Sequence, residues 1–177
     1  YNNVGIAIGA FERMLQTPAR WDDYLAGQEK ALNAQEKSGL EKFSKFGCTT
    51  CHSGTLLGGR LYQKVGLVKP WPNQKDQGRF SLTGKEEDKM FFKVPSLRNI
   101  EKTGPYFHDA SSTELKDAIA KMGRHQIGME LAKKDIADIV VPTNNMFVQF
   151  DFNGSEIRTL LSLSGQEQPK EDIHEWN

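Results

Sequence analysis

Residues 48–52 read Cys48-Thr49-Thr50-Cys51-His52, and these are the only two cysteines among 177 residues. A Cys-x-x-Cys-His run is the attachment signature of a covalently bound haem. Each thiol adds to one haem vinyl group, so the sulfurs must sit about a haem edge apart. The histidine that follows reaches the iron from one face. A tethered porphyrin makes electron transfer or redox catalysis the default function. Two other chemistries use a cysteine pair. A dithiol redox centre belongs near a βαβ pattern, and none surrounds it. A closed zinc site usually needs four ligands, and His108, His125 and His174 form no paired ligand spacing with the motif. The motif therefore reads as haem c, one covalent group per chain.

A chain of this length is most simply one domain with an extension. Lys+Arg and Asp+Glu balance at 23 each, so no net field favours nucleic acid or an anionic membrane. No apolar run approaches the ~18 residues of a membrane span. No signal peptide is visible, and the chain opens on Tyr1-Asn2-Asn3 straight into an amphipathic pattern, as a mature or truncated product would. Covalent haem attachment normally takes place outside the cytoplasm. A leader is therefore expected to have been removed, and the protein to be periplasmic.

The spacing of Val4, Ile8, Phe11 and Leu15 predicts a core-packing helix over 4–15 that ends before Thr17-Pro18. Asn33 to Glu36 forms a capping box for a helix through Leu40 and Phe43, with Gly47 as its left-handed stop. That helix delivers the haem motif. Residues 53–92 lack sustained periodicity and read as a long loop wrapped around the cofactor. Ser111 to Glu114 is a second capping signature, for a helix through Leu115, Ile119 and Met122 that stops at Gly123. A further helix spans 132–141 with Ile136, Ile139 and Val140 inward, and Pro142 ends it. Residues 146–152 suggest a short strand before the turn pair Asn153-Gly154. A last helix is expected over 155–163, and a polar tail from Gln166.

The iron's other face takes Met, His or nothing. Met14 sits with Phe11 and Leu15 as core, Met90 precedes Phe91-Phe92, and Met146 lies in an aromatic stretch. Met122 and Met129 bracket a turn region containing His125. A ligand is best placed where a helix ends and the chain can turn a side chain inward. Spacing therefore favours Met122, with Met129 and His125 left open.

Several stretches resemble a known family. They are Ala7 through Arg13, Thr17-Pro18, Gly47 through Gly54, Leu57-Gly58-Gly59, Gly66-Leu67-Val68, Gly78-Arg79-Phe80, Phe92 through Ile100, Thr103 through Asp109, and Met122 through Gly128. In order and spacing, over roughly 4–141, they are similar to the C-terminal half of bacterial dihaem cytochrome c peroxidases. The resemblance implies a mostly α, c-type cytochrome domain with long haem-wrapping loops. It also implies a His/Met-ligated, electron-accepting haem, with His52 and Met122 at the matching positions. The family binds calcium between its haem domains through backbone carbonyls, which here match Thr103 and Pro105. Arg79 and Arg98 become candidate partners of the haem propionates, since a guanidinium pairs bidentately with carboxylate. The alternative for each arginine is a structural salt bridge, and for His108 a buried hydrogen-bonding role.

On this reading residues 1–30 form a helical lead-in like the family's inter-domain segment. Residues 31–165 form the haem domain, and 166–177 the tail. The chain departs from the family twice. It has no second Cys-x-x-Cys-His domain, so no peroxide-cleaving residue carries over. Residues 142–154 also interrupt the final helical pattern as a hairpin-like insertion. The expected function is electron entry from a small cytochrome or copper protein, for delivery to a second haem domain or subunit that reduces hydrogen peroxide. The chain would act as a cytochrome c peroxidase only when that domain is supplied, and a homodimer is compatible with the family. The alternatives are a stand-alone peroxidase, whose acid–base pair would draw on His125 and Glu130, and a subunit of a larger multihaem complex.

Overall fold

A computed structural model describes residues 2–12 and 18–145. The strand expected at 146–152, the helix at 155–163, the tail, Met14 and Met146 lie outside the described residues. Six helices and one two-stranded ribbon are described: α1 (Asn2–Glu12), α2 (Arg20–Leu25), α3 (Ala34–Lys45), β1 (Tyr62–Lys64), α4 (Phe80–Thr83), β2 (Phe91–Lys93), α5 (Leu115–Lys121) and α6 (Lys133–Asn145). Short 3-10 turns and one π-helical turn, Met122–Ile127, link them. The architecture is mostly α, as expected.

The capping box forms as read. Asn33 Oδ1 accepts from the Glu36 amide at 2.9 Å, and Glu36 Oε2 accepts from the Asn33 amide at 2.6 Å. The Glu36 carboxylate is fully buried. It also takes a bidentate fork from Arg20, at 3.0 and 2.8 Å. A buried charge is tolerated only when its lone pairs are occupied, and here each oxygen has a partner. The fork fastens α2 to the start of α3. Gly47, at φ +80°, ends α3 in the left-handed region as anticipated. Its neighbour Cys48 then starts the haem motif.

Helices α3 and α6 pack directly against each other. Lys42, on α3, pins the crossing with ion pairs to Asp135 at 2.7 Å and Asp138 at 2.5 Å. A separate apolar cluster joins Ala19, Trp21, Leu32 and Leu57, with Tyr24, Leu40 and Leu97 against it. The segment that leads into the haem motif therefore shares a core with the loop that leaves it.

Four expectations change. Helix α1 buries none of its residues, and Val4, Ile6 and Ile8 are more than half exposed. Among the described residues no element covers its apolar stripe. Helix α5 starts at Leu115 with Glu114 as its cap residue and no side-chain cap bond. The Ser111–Glu114 capping box does not form. Instead Ser112 Oγ donates to Asp117 at 2.6 Å and receives Lys121 at 2.8 Å. The helical path also does not stop at Gly123. It widens into the π turn and ends at Gly128, φ +74°. Finally, α6 continues through Pro142 to Asn145. A proline's fixed φ is itself helical, so what it forfeits there is one hydrogen bond in the last turn. Residues 142–145 of the expected insertion therefore belong to α6.

The stretch 53–92 is not all loop. β1 and β2 pair antiparallel, with Tyr62 opposite Lys93, Gln63 opposite Phe92 and Lys64 opposite Phe91. Val65 N to Met90 O at 2.9 Å extends the pairing. Arg79 N donates to Phe91 O at 2.9 Å, which folds the intervening chain back onto β2.

Candidate haem site

Cys48 opens a 3-10 turn (Cys48–Thr50) just after α3 and Cys51 caps its end, and both are half-buried. His52 N donates to Cys48 O at 2.9 Å and closes the motif on itself. The His52 Nδ1 lies 3.2 Å from the carbonyl oxygen of Leu57. A carbonyl can only accept, so Nδ1 carries the proton and Nε2 keeps a free lone pair. Burial pushes the His52 pKa down, against the opposing effect of the Leu57 and Pro95 carbonyls. The ring is therefore neutral at pH 7, as a metal ligand must be. Phe43 of α3 sits against it, with ring centroids 6.2 Å apart.

A glycine makes this arrangement possible. Gly58 has φ +136°, and a Cβ there would lie 2.0 Å from Pro95 O and 3.4 Å from His52 Nδ1. The two carbonyl-bearing loops can close on the imidazole only because position 58 has no side chain.

The alternative readings of the cysteine pair weaken. Burial pushes the Cys48 thiol up to about 11, whereas reactive dithiol centres depress a thiol pKa. Among the described residues no group of three or more His, Cys, Asp or Glu could hold a metal ion, which leaves no zinc site there. A neutral imidazole whose Nδ1 is held by a carbonyl, two half-buried cysteines beside it and a glycine cradle fit a covalent haem.

The three candidates for the opposite ligand separate. Met122 opens the π turn and is half-buried. Met129 is 44% exposed. His125 is buried, and its Nδ1 faces the carbonyls of Lys69 and Pro70 at 3.1 and 3.0 Å. Its ring meets Trp71 edge-on at 5.2 Å. The same turn grips the facing loop through its backbone. Val68 N and Lys69 N both donate to His125 O, Gly66 N donates to Gln126 Oε1, and Gln126 Nε2 donates to Lys64 O. Single π turns recur at functional sites, and this one fastens the loop at 64–70 beside Met122.

The arginines have other partners. Arg79 pairs with Asp88 at 3.3 Å and lies over the Tyr62 ring at 5.5 Å. Arg98 forks onto Asp22 at 2.9 and 2.5 Å and also donates to Thr55 O at 3.2 Å. It ties α2 to the loop just beyond His52. Thr103 and Pro105 are exposed, and the Gly104–Pro105 peptide is cis. Calcium takes six to eight oxygens. With no acidic cluster among the described residues, carbonyls at 103 and 105 would be a minority of such a shell. His108 stacks on Phe92, centroids 4.0 Å apart, with Nε2 buried and unpartnered.

Sequence reasoning missed Trp71. It is 2% exposed and packs on Phe107 at 4.6 Å and on His125. Its Nε1 donates to Asp109 at 3.0 Å. An isolated tryptophan in a Lys/Pro-rich stretch has no periodicity to betray its burial. A cavity of about 300 Å³ runs beside Trp71, lined also by Lys64, Gln77 and Met90, and it does not touch the motif.

Burial pushes the Asp109 carboxyl up, but hydrogen bonds from Trp71 and Ser111 and the neighbouring His108 outweigh it and bring the pKa down to about 2. A depressed carboxyl stabilises the fold above its unfolded pKa of about 4, and the contribution is lost as pH falls toward about 2. Asp109→Asn is therefore expected to be less stable than the parent at pH 6, with the deficit closing by pH 2. Urea midpoints measured across that range check it, and a deficit independent of pH would contradict it.

No protein-family model matches the chain. It is 44% identical to the cytochrome c551 peroxidase of Pseudomonas aeruginosa over 146 residues, covering 79% of this chain and 42% of the relative. It is 43% identical to the cytochrome c peroxidase Ccp of Escherichia coli over 143 residues, covering 78% and 31%. Among solved structures it is similar to a MauG-like protein associated with microbial copper homeostasis. There the TM-score is 0.62 and the identity 25%, over 74% of this chain and 48% of that one. The chain spans less than half the length of these relatives.

Proposed function

We propose that this chain, a homologue of the bacterial cytochrome c peroxidases over most of its described length, carries one low-spin haem c and serves as the electron-entry half of such an enzyme. The observation that carries the reading is the His52–Leu57 hydrogen bond beside Cys48 and Cys51. It presets the tautomer an axial ligand needs, at the one place where two thiols can tether a porphyrin. The haem would be held by thioethers at Cys48 and Cys51, by His52 Nε2 and by Met122. When bound, it supplies a one-electron couple whose potential the thioether sulfur raises. The protein's part is to keep His52 neutral and oriented, and to hold the Met122 turn against the loop at 64–70.

Met122 is preferred because it opens the π turn and is half-buried, whereas Met129 is 44% exposed, and because it stands where the resemblance places the second ligand. Arg98 is the better of the two candidate propionate partners, since it already reaches the loop after His52. Calcium at Thr103 and Pro105 would draw its remaining oxygens from water or from a second domain. The donor is a small cytochrome or copper protein, the acceptor a second haem domain, and the setting periplasmic.

The stand-alone peroxidase gains nothing from the geometry. Glu130 is exposed, and the hydrogen-bonding Arg124 holds its carboxyl below the ordinary range, with Lys69 adding to the effect. Neither it nor His125 is poised as a buried acid–base pair. The haem-loaded 177-residue chain is therefore expected to take up one electron per haem and to leave hydrogen peroxide untouched. Saturable peroxide turnover by this chain alone would overturn the proposal.

A further inference from the structure

The segment that supplies Met122 has an outer face that the haem site does not use. Leu67, Val68 and Met129 are exposed at 54, 56 and 44%. They are contiguous, because Val68 packs on Gly128, where an added Cβ would meet Val68 Cγ1 at 2.8 Å. Loop and turn are locked together. Val68 N and Lys69 N donate to His125 O at 3.0 and 3.1 Å. Gly66 and Lys64 are bonded to the Gln126 amide at 3.1 and 2.8 Å. The patch is thus a preformed platform that needs little ordering on binding. Its rim carries the cations Lys64, Lys69 and Arg124 and the carboxylate Glu130, which Arg124 and Lys69 partly neutralise, while Asp117, which also faces Arg124, is paired to Lys121 at 2.9 Å.

We infer that this platform is the docking surface for the electron donor, and that the donor presents an apolar contact ringed by acidic residues. The inference rests on the proposed electron-entry role and adds the surface and its charge preference. An apolar centre with a charged rim suits the small, short-lived contacts of redox partners. The cationic rim steers an acidic partner and suppresses a basic one. Docking here sets the donor on the turn that begins at Met122.

The test follows reduction of the haem-loaded ferric protein by stopped flow. One donor is a reduced acidic plastocyanin and the other a reduced basic mitochondrial-type cytochrome c. With the acidic donor the rate is expected to fall as salt rises, and to drop about tenfold at low salt in Leu67→Asp and in Lys69→Glu. Both substitutions are on exposed side chains. Leu82→Asp, on a side chain 91% exposed and outside the platform, is expected to react at the parental rate. Faster reaction with the basic donor, or equal losses in all three variants, would overturn the inference. A failure of the electron-entry role is distinguishable: it would show as a high-spin ferric spectrum before any donor is mixed.

Discussion

Replacing Met122 with alanine is expected to convert the ferric haem from low to high spin and to lower its reduction potential by on the order of 100 mV or more. Loss of the thioether removes the ligand that favours the ferrous state and opens one face of the iron. Cyanide and peroxide, which a six-coordinate haem excludes, should then bind. Met129→Ala is the matched comparison. Its side chain is exposed on the far side of Gly128, and its spectrum and potential should match the parent's. A Met129 variant that goes high-spin while Met122→Ala stays low-spin would reverse the assignment.

The second large effect belongs to a residue with no side chain. Gly58→Ala is expected to abolish stable haem incorporation. Its Cβ would lie 2.0 Å from Pro95 O, and the strand of chain that must yield is held on both sides. Gly59 N donates to Val94 O at 2.8 Å, and Ser96 Oγ donates to Leu56 O at 2.8 Å. The positive φ adds about 1–3 kcal/mol of strain, and the loops cannot separate without releasing His52 from Leu57. Gly84→Ala gives the scale for strain alone. Gly84 has φ +66° and nothing within 4 Å of its added Cβ, so it should cost only about 1 kcal/mol and leave the haem in place. Haem-stain yield and thermal unfolding of the two variants decide the matter. Equal behaviour would show that the cradle at position 58 is not needed.

The parts of this fold that were legible in the sequence are those governed by local chemistry. Asn33 and Glu36 cap α3 by bonds between residues three apart, and Gly47 ends the helix by its own φ. The haem motif follows at once, so its position on a helix end was readable too. The misreadings share a different cause. Ser111 had a correctly spaced Glu114, but the helix starts only at Leu115, and Lys121 from its far end reaches back to the Ser111 carbonyl at 2.6 Å, a contact no local pattern shows. The π turn after Lys121 is fixed by bonds to residues 64–70, some sixty positions earlier, and no local pattern encodes that. The strands are three residues long, too short to display alternation. For Arg79 and Arg98 the sequence left a propionate and a structural salt bridge both open, and only the fold shows that Asp88 and Asp22 lie within reach of them.

The central claim is that His52 and Met122 together hold the iron of a single haem c. Its most direct test is the visible spectrum of the ferric, haem-loaded chain. The account predicts a low-spin spectrum with a weak band near ~695 nm, the mark of methionine sulfur on iron, unchanged on adding hydrogen peroxide. A high-spin ferric spectrum that shifts when peroxide is added would contradict it and make the open-iron peroxidase the leading reading.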